Sequence, residues 1–349
     1  DAKGMTALYA ACQMGHADVV SLLLSHGAQA DRPNQSGGSV TPLLISCSNG
    51  HHKCAAALLE AGADANKADA SGYSPLYICC GKGHAECMKA LLAHGAATED
   101  LGARAASPLY VGAQYGHAEC VALLIGAGAS LNAQEREHRQ TALYTTCWRG
   151  HAKCAALLLA AKASVDLPEA TGATPLYVAA QHARAQCVAT LLEAGADVRK
   201  ADRAGFTPLY VACAHNALEC AKLLIIARAP VGAVTPSGAT PLHVACQEGH
   251  AEVARVLLAA GSSPNATDRS GCTPLYLACL YRRPECAASL VAAGARLDLA
   301  RANGATALHV ACETGAADCA ALLLASRASP DVTLADGATP LFLASTEGH

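Results

Sequence analysis

Residues 238–270 read GATPLHVACQEGHAEVARVLLAAGSSPNATDRS, and the reading of TPLH at 240–243 decides the fold. A threonine before a proline marks a helix start. The Thr240 hydroxyl can accept from a free first-turn amide, and Pro241 occupies the position where a missing N–H costs nothing. The spacing predicts a short first helix that ends near Gly249. A second helix should then carry Val253, Val256, Leu257 and Ala260 along one apolar stripe, with Gly261 as its stop. The polar SSPNATDRSG that follows reads as a loop. Neither helix can bury its apolar face alone, so such a unit must stack on others of its kind.

Copies of the unit fill the chain. Tetrapeptides of the TPLH type begin at Thr6, Thr41, Ser74, Ser107, Thr141, Thr174, Thr207, Thr240, Thr273, Thr306 and Thr339, and eight of the ten intervals are 33 residues. The period and the phrase together resemble the ankyrin repeat, and the resemblance covers essentially all of residues 1–349. It implies an all-α solenoid of stacked helix-turn-helix units with projecting loops or hairpins, read here as one array of about ten full repeats and a truncated one. At ~8–10 Å per helix layer, ten units would form a curved rod roughly 90 Å long. Both ends fall inside the repeat pattern, so the chain is expected to be a segment of a longer protein that frays at its C-terminal end. The two longer intervals place extra residues in DRPNQSGGSV (31–40) and AQEREHRQ (133–140). Repeats six, seven, nine and ten lack the Gly-His pair between the helices, so their turns are expected to be less regular.

Composition agrees with thin helical layers. Hydrophobic residues make up 52% of the chain but aromatics only 4%, so alanine and leucine, not large rings, must fill the interior. The 25 basic and 28 acidic residues are well mixed, with no basic stripe of the kind that nucleic acid requires. The most apolar stretch, 221–234, is broken by Lys222, Arg228 and Pro230, which argues against membrane insertion. No signal-peptide pattern opens the sequence. An intracellular, cytoplasmic chain with reduced thiols is the expectation. Two glycosylation-type triplets, at Asn34 and Asn265, lie in loops and read as chance matches.

Cysteine poses the sharpest chemical question, because Cys147, His151 and Cys154 repeat a C-x3-H-x2-C spacing also present at 47–54 and 80–87. Set in register, 16 of the 18 cysteines fall in two columns, six and thirteen residues after the cap; only Cys79 and Cys272 stand outside them. The columns also accept Ala113, Ala180, Ser345, Val19 and Val253. Small core residues exchange in this way and metal ligands do not, so the columns read as buried, reduced and metal-free packing. Histidine recurs ten after the cap, in the turn between the helices, where it can satisfy backbone groups at helix ends. Tyrosine recurs three after the cap and reads as a core ladder, in a slot where the ankyrin resemblance implies a histidine.

No Gly-rich phosphate loop, G-x-S-x-G or paired acids remain after this subtraction, so no catalytic, metal or cofactor residue is assigned and the chain reads as non-enzymatic. The resemblance implies recognition of another protein through first-helix ends and loop tips on a concave face. The residues in those places are Tyr73, Tyr115, Trp148, Arg149, His182, Phe206, His215 and Tyr281. Tryptophan, tyrosine and arginine dominate binding hot spots. A protein-binding scaffold or adaptor is thus the functional expectation. Its alternatives are the recognition part of a ubiquitin-ligase adaptor, faintly suggested by the A-E-C phrasing, and a permanent subunit of a larger complex.

Overall fold

The computed structural model describes residues 5–34, 38–99 and 106–349. Among these residues there are 21 helices and no strand. They group into two compact units, residues 1–170 with 193–195 and residues 171–192 with 196–349. In the first unit the pairs are α1 (Ala7–Met14) with α2 (Ala17–Ser25), α3 (Pro42–Asn49) with α4 (His52–Glu60), α5 (Pro75–Lys82) with α6 (Ala85–Ala93), α7 (Pro108–Tyr115) with α8 (Ala118–Gly126), and α9 (Ala142–Arg149) with α10 (Ala152–Ala160). In the second they are α11 (Pro175–Gln181) with α12 (Ala185–Glu193), α13 (Pro208–Ala214) with α14 (Leu218–Ile226), α15 (Pro241–Glu248) with α16 (Ala251–Ala259), α17 (Pro274–Leu280) with α18 (Pro284–Ala292), and α19 (Ala307–Glu313) with α20 (Ala317–Ala325). A single helix, α21 (Pro340–Glu347), follows.

The first helices start as the TPLH phrase dictates. The cap oxygen accepts from the amide three residues on, as in Leu44 N–H to Thr41 at 3.2 Å and Tyr144 N–H to Thr141 at 3.1 Å. Within each unit, first helices pack on first helices and most second helices on second helices. Two leucine columns carry the core. One lies two after the cap, from Leu43 to Leu308, and the other seventeen after it, from Leu58 to Leu323; every member is at most 2% exposed. Each such burial stabilises by ~1.5–3 kcal/mol. In α16 the buried stripe is Val253, Ala254 and Leu257; Val256 is half-buried and Ala260, expected on the stripe, is exposed past the helix end.

The turns between paired helices contain a correction. Glycine stands nine after the cap with positive φ, from Gly15 at 76° to Gly249 at 85°. Where glycine is absent the same left-handed turn persists, at Ala183 (φ 55°), Asn216 (φ 55°) and Arg282 (φ 57°). The left-handed residue is thus kept, but in all four repeats without the Gly-His pair the preceding helix is one residue shorter, seven instead of eight in α11, α13, α17 and α19, the last with Gly315 (φ 66°) in its turn.

Loops join neighbouring repeats by single backbone bonds, such as Ala70 N–H to Gly38 O at 2.8 Å and Arg269 N–H to Ser237 O at 2.9 Å. A side-chain oxygen twenty-five after the cap adds another link. Asn66 accepts from Ala97 N–H at 2.8 Å, and Asn265 from Arg296 N–H at 2.8 Å. The Asn265 triplet is thus part of the inter-repeat stitching, whereas Gln35 and Ser36 of the Asn34 triplet, with Gly37 of the lengthened 31–40 loop, lie outside the described residues.

Candidate functional site

Three loop tips are built around one carboxylate twenty-eight after the cap, Asp69, Glu135 and Asp202. Asp69 accepts from Ser71 N–H and Tyr73 N–H at 2.9 Å each, and Asp202 accepts from Phe206 N–H at 2.9 Å. In the 133–140 loop the residue is Glu135, which accepts from the amides of Glu137 (2.8 Å), His138 (2.7 Å) and Gln140 (3.1 Å). One more methylene lets glutamate hold a turn one residue longer. The insertion is therefore an ordered tip with a buried anchor.

These tips place aromatic rings beside the first helices. Tyr73 lies 5.0 Å from Tyr77, centroid to centroid, and Phe206 lies 5.0 Å from Tyr210 in the second unit, the same pairing of the residue before the cap with the one three after it. In the first unit α5, α7 and the 135–138 tip enclose an open cavity of about 590 Å³, lined by Tyr73, Tyr77, Tyr110, Tyr115, Lys82 and Glu137 among others. Tyr110 donates to Gln140 Oε1 at 3.0 Å, and burial pushes its phenol above the ordinary range, so it remains a donor. The groove has an aromatic wall and a rim carrying both signs of charge.

The tyrosine column is not one core ladder. Tyr9, Tyr144, Tyr177 and Tyr276 are buried, but Tyr77, Tyr110 and Tyr210 are half-buried. At this slot the ring points outward beneath the loop tip, where its hydroxyl meets loop residues, as Tyr177 meets Asp202 at 3.2 Å. Two of the groove tyrosines thus come from a column assigned to the core on periodicity alone.

The remaining site residues of the first unit stand at the end of α9. Trp148 is half-buried and the exposed Arg149 lays its guanidinium 4.3 Å over the indole. Neither lines the groove that Tyr73 and Tyr115 share. In the second unit His182, His215 and Tyr281 are exposed, each the C-cap just past its helix, and Phe206 is half-buried. His215 Nδ1 lies 3.0 Å from Val211 O, within its own helix.

The cysteines sit in the interior, all buried except the half-buried Cys312. Burial pushes Cys12, Cys120 and Cys220 up to about 11. Thiols approach one another across repeats. A sixth-position cysteine faces the thirteenth-position cysteine of the next repeat, in the pairs Cys47–Cys87, Cys246–Cys286 and Cys279–Cys319. The forty-residue spacing of these pairs was present in the sequence as a signal, but only stacking gives it meaning.

Two histidines share the tyrosine slot. His243 Nδ1 accepts the N–H of Thr240 at 3.1 Å, so Nε2 carries the proton and donates to Cys272 O at 3.1 Å.

Comparison with known proteins follows the same lines. The description "Ankyrin repeats (3 copies)" matches residues 1–69, 61–135, 109–202, 167–235, 209–301 and 290–349. No curated protein matches the sequence. Among solved structures, the human ASB11 ankyrin repeat domain is similar at 27% identity and a TM-score of 0.57, over 65% of this chain and 99% of that one. With the matched windows running from one end to the other, this chain belongs to the ankyrin-repeat family.

Proposed function

We propose that the chain is a non-enzymatic scaffold or adaptor that binds a partner protein on the face formed by first-helix ends and loop tips. The observation that supports it most is the tyrosine-walled groove between α5, α7 and the 135–138 tip. Tyrosine offers a large rigid contact area together with a hydroxyl, which suits a partner segment with both apolar and polar groups. Trp148 with Arg149 forms a second aromatic and cationic contact on α9. No helix among the described residues is long and apolar enough to cross a membrane.

A second reading, the recognition part of a ubiquitin-ligase adaptor, draws on the A-E-C phrasing.

The test begins with mass spectrometry of co-purifying proteins, followed by titration of the purified partner against single variants. Tyr115→Ala and Trp148→Ala should each weaken binding by ~2 kcal/mol without lowering the melting temperature. Unchanged affinity in both variants would remove this face from the interface.

A further inference from the structure

Between α3, α5 and α6 a third thiol joins a cross-repeat pair. The position five after the cap holds alanine, serine, glycine or threonine in every other repeat and cysteine only at Cys79. Its Sγ reaches toward Cys47 O at 3.9 Å. The sulfur atoms of Cys47, Cys79 and Cys87 all lie within 4.8 Å of one another, and each residue is at most 1% exposed. No other trio of histidine, cysteine or acidic side chains among the described residues is so gathered.

We propose that Cys47, Cys79 and Cys87 form a three-thiolate binding site for a soft, three-coordinate thiophile of the trivalent arsenic class. Softness follows from the ligands, which are all sulfur. Coordination number follows from their count, since zinc in a closed site takes four nitrogen or sulfur ligands and the cluster offers three. Charge then selects within the soft ions. Three thiolates around a monovalent ion leave two uncompensated negative charges, and around a divalent ion one, in a fully buried place where an unpaired charge is costly. A trivalent centre leaves none.

The exchange balances without electron transfer. Arsenous acid and three thiols give the tris-thiolate and three waters. Three As–O and three S–H bonds break, three As–S and three O–H bonds form, and arsenic stays trivalent. Reactant and product are both neutral, so the ion enters the core without carrying a net charge into it. Because Cys47 belongs to one repeat and Cys79 and Cys87 to the next, the product also ties α3 covalently to α5 and α6.

The test uses the full chain, reduced with a phosphine and equilibrated with arsenous acid until uptake ceases. Native mass spectrometry should show one arsenic bound with loss of three waters, and the melting temperature should rise. Cys79→Ala and Cys79→Ser, side chains of a size the other repeats accept, should abolish the three-water adduct. Cys246→Ala, which breaks only a two-thiol pair, should leave it intact. An adduct that survives both Cys79 variants, a chain that takes up only two-thiol adducts, or one in which zinc or monovalent copper displaces arsenic at equal concentration would overturn the assignment.

Discussion

Glycine nine after the cap meets two constraints, and only one is its own backbone. Its φ is positive, at 76° for Gly116. The second comes from the next repeat: a Cβ on Gly116 would lie 2.5 Å from His151 Nδ1. That imidazole is held by its Nε2, 3.2 Å from Gln114 O at the end of α7. Gly15 with His51, Gly50 with His84 and Gly83 with His117 repeat the arrangement. Two of the three left-handed turns without glycine, Ala183 and Arg282, are followed a repeat later by Ala217 and Ala316, where no imidazole intrudes. Gly116→Ala should destabilise the fold by ~2–3 kcal/mol, part backbone and part overlap. Combining it with His151→Ala should return the overlap part, leaving a coupling of ~1 kcal/mol or more in a denaturant double-mutant cycle. Strict additivity would assign the whole cost to the backbone. His243 supplies a residue-scale test by pH. Burial lowers its pKa, and its Nδ1 must stay unprotonated to accept from Thr240. The unfolded chain therefore takes up the proton first, near pH ~6.5. Stability from this group is present above that value and is lost as pH falls toward the lowered folded value. His243→Tyr should flatten the stability slope between pH 7 and 5, measured by urea denaturation.

At the scale of the element, the same turn made without glycine stores strain. Ala183 holds φ at 55°, in the region that costs an L side chain most. Ala183→Gly should therefore stabilise by ~0.5–1 kcal/mol, read as a higher urea midpoint, since the left-handed cost exceeds the entropy glycine adds to the unfolded chain. A fall in midpoint would mean that the turn carries no such strain. The second helices make the complementary case for packing over chemistry. Cys220 in α14 is 1% exposed, in a column that elsewhere accepts Val253. Cys220→Ala should cost ~1 kcal/mol and Cys220→Asp ~3 kcal/mol or more, because only the second buries a charge without a partner. Equal tolerance of the two would place that side chain outside the core.

Over the whole molecule, stability is the sum of units each of which leans on its neighbours. Each compact unit has its buried leucine columns, but α21 contributes little to those of the second. Leu341 is 75% exposed and Phe342 57% exposed, whereas the matching Leu308 and His309 of α19 are at most 2% exposed. In this chain the amides of α21 should exchange fastest of any helix, and those of α15 and α17, packed on both sides by first helices, slowest. Hydrogen exchange read by mass spectrometry decides it; equal protection of α21 and α17 would contradict the packing argument.

What the sequence determined alone was everything that repeats. The Thr-Pro start and the leucines at fixed offsets are local rules restated about every 33 residues, so periodicity exposed helix starts and the packing columns without knowledge of the stack. It also separated residues that the repeat holds constant from those it leaves free, which is how Tyr73, Tyr115 and Trp148 stood out. Tertiary structure alone decided what one repeat does to the next. It turned Tyr77 and Tyr110 toward the groove, set His151 where the Gly116 Cβ would be, and brought Cys79 and Cys87 to Cys47. The reason is geometric. A column in register lists residues that occupy the same place in successive copies, whereas atoms touch between different places in adjacent copies. The offset between those places is fixed by the stacking of the helices, not by the period of the sequence.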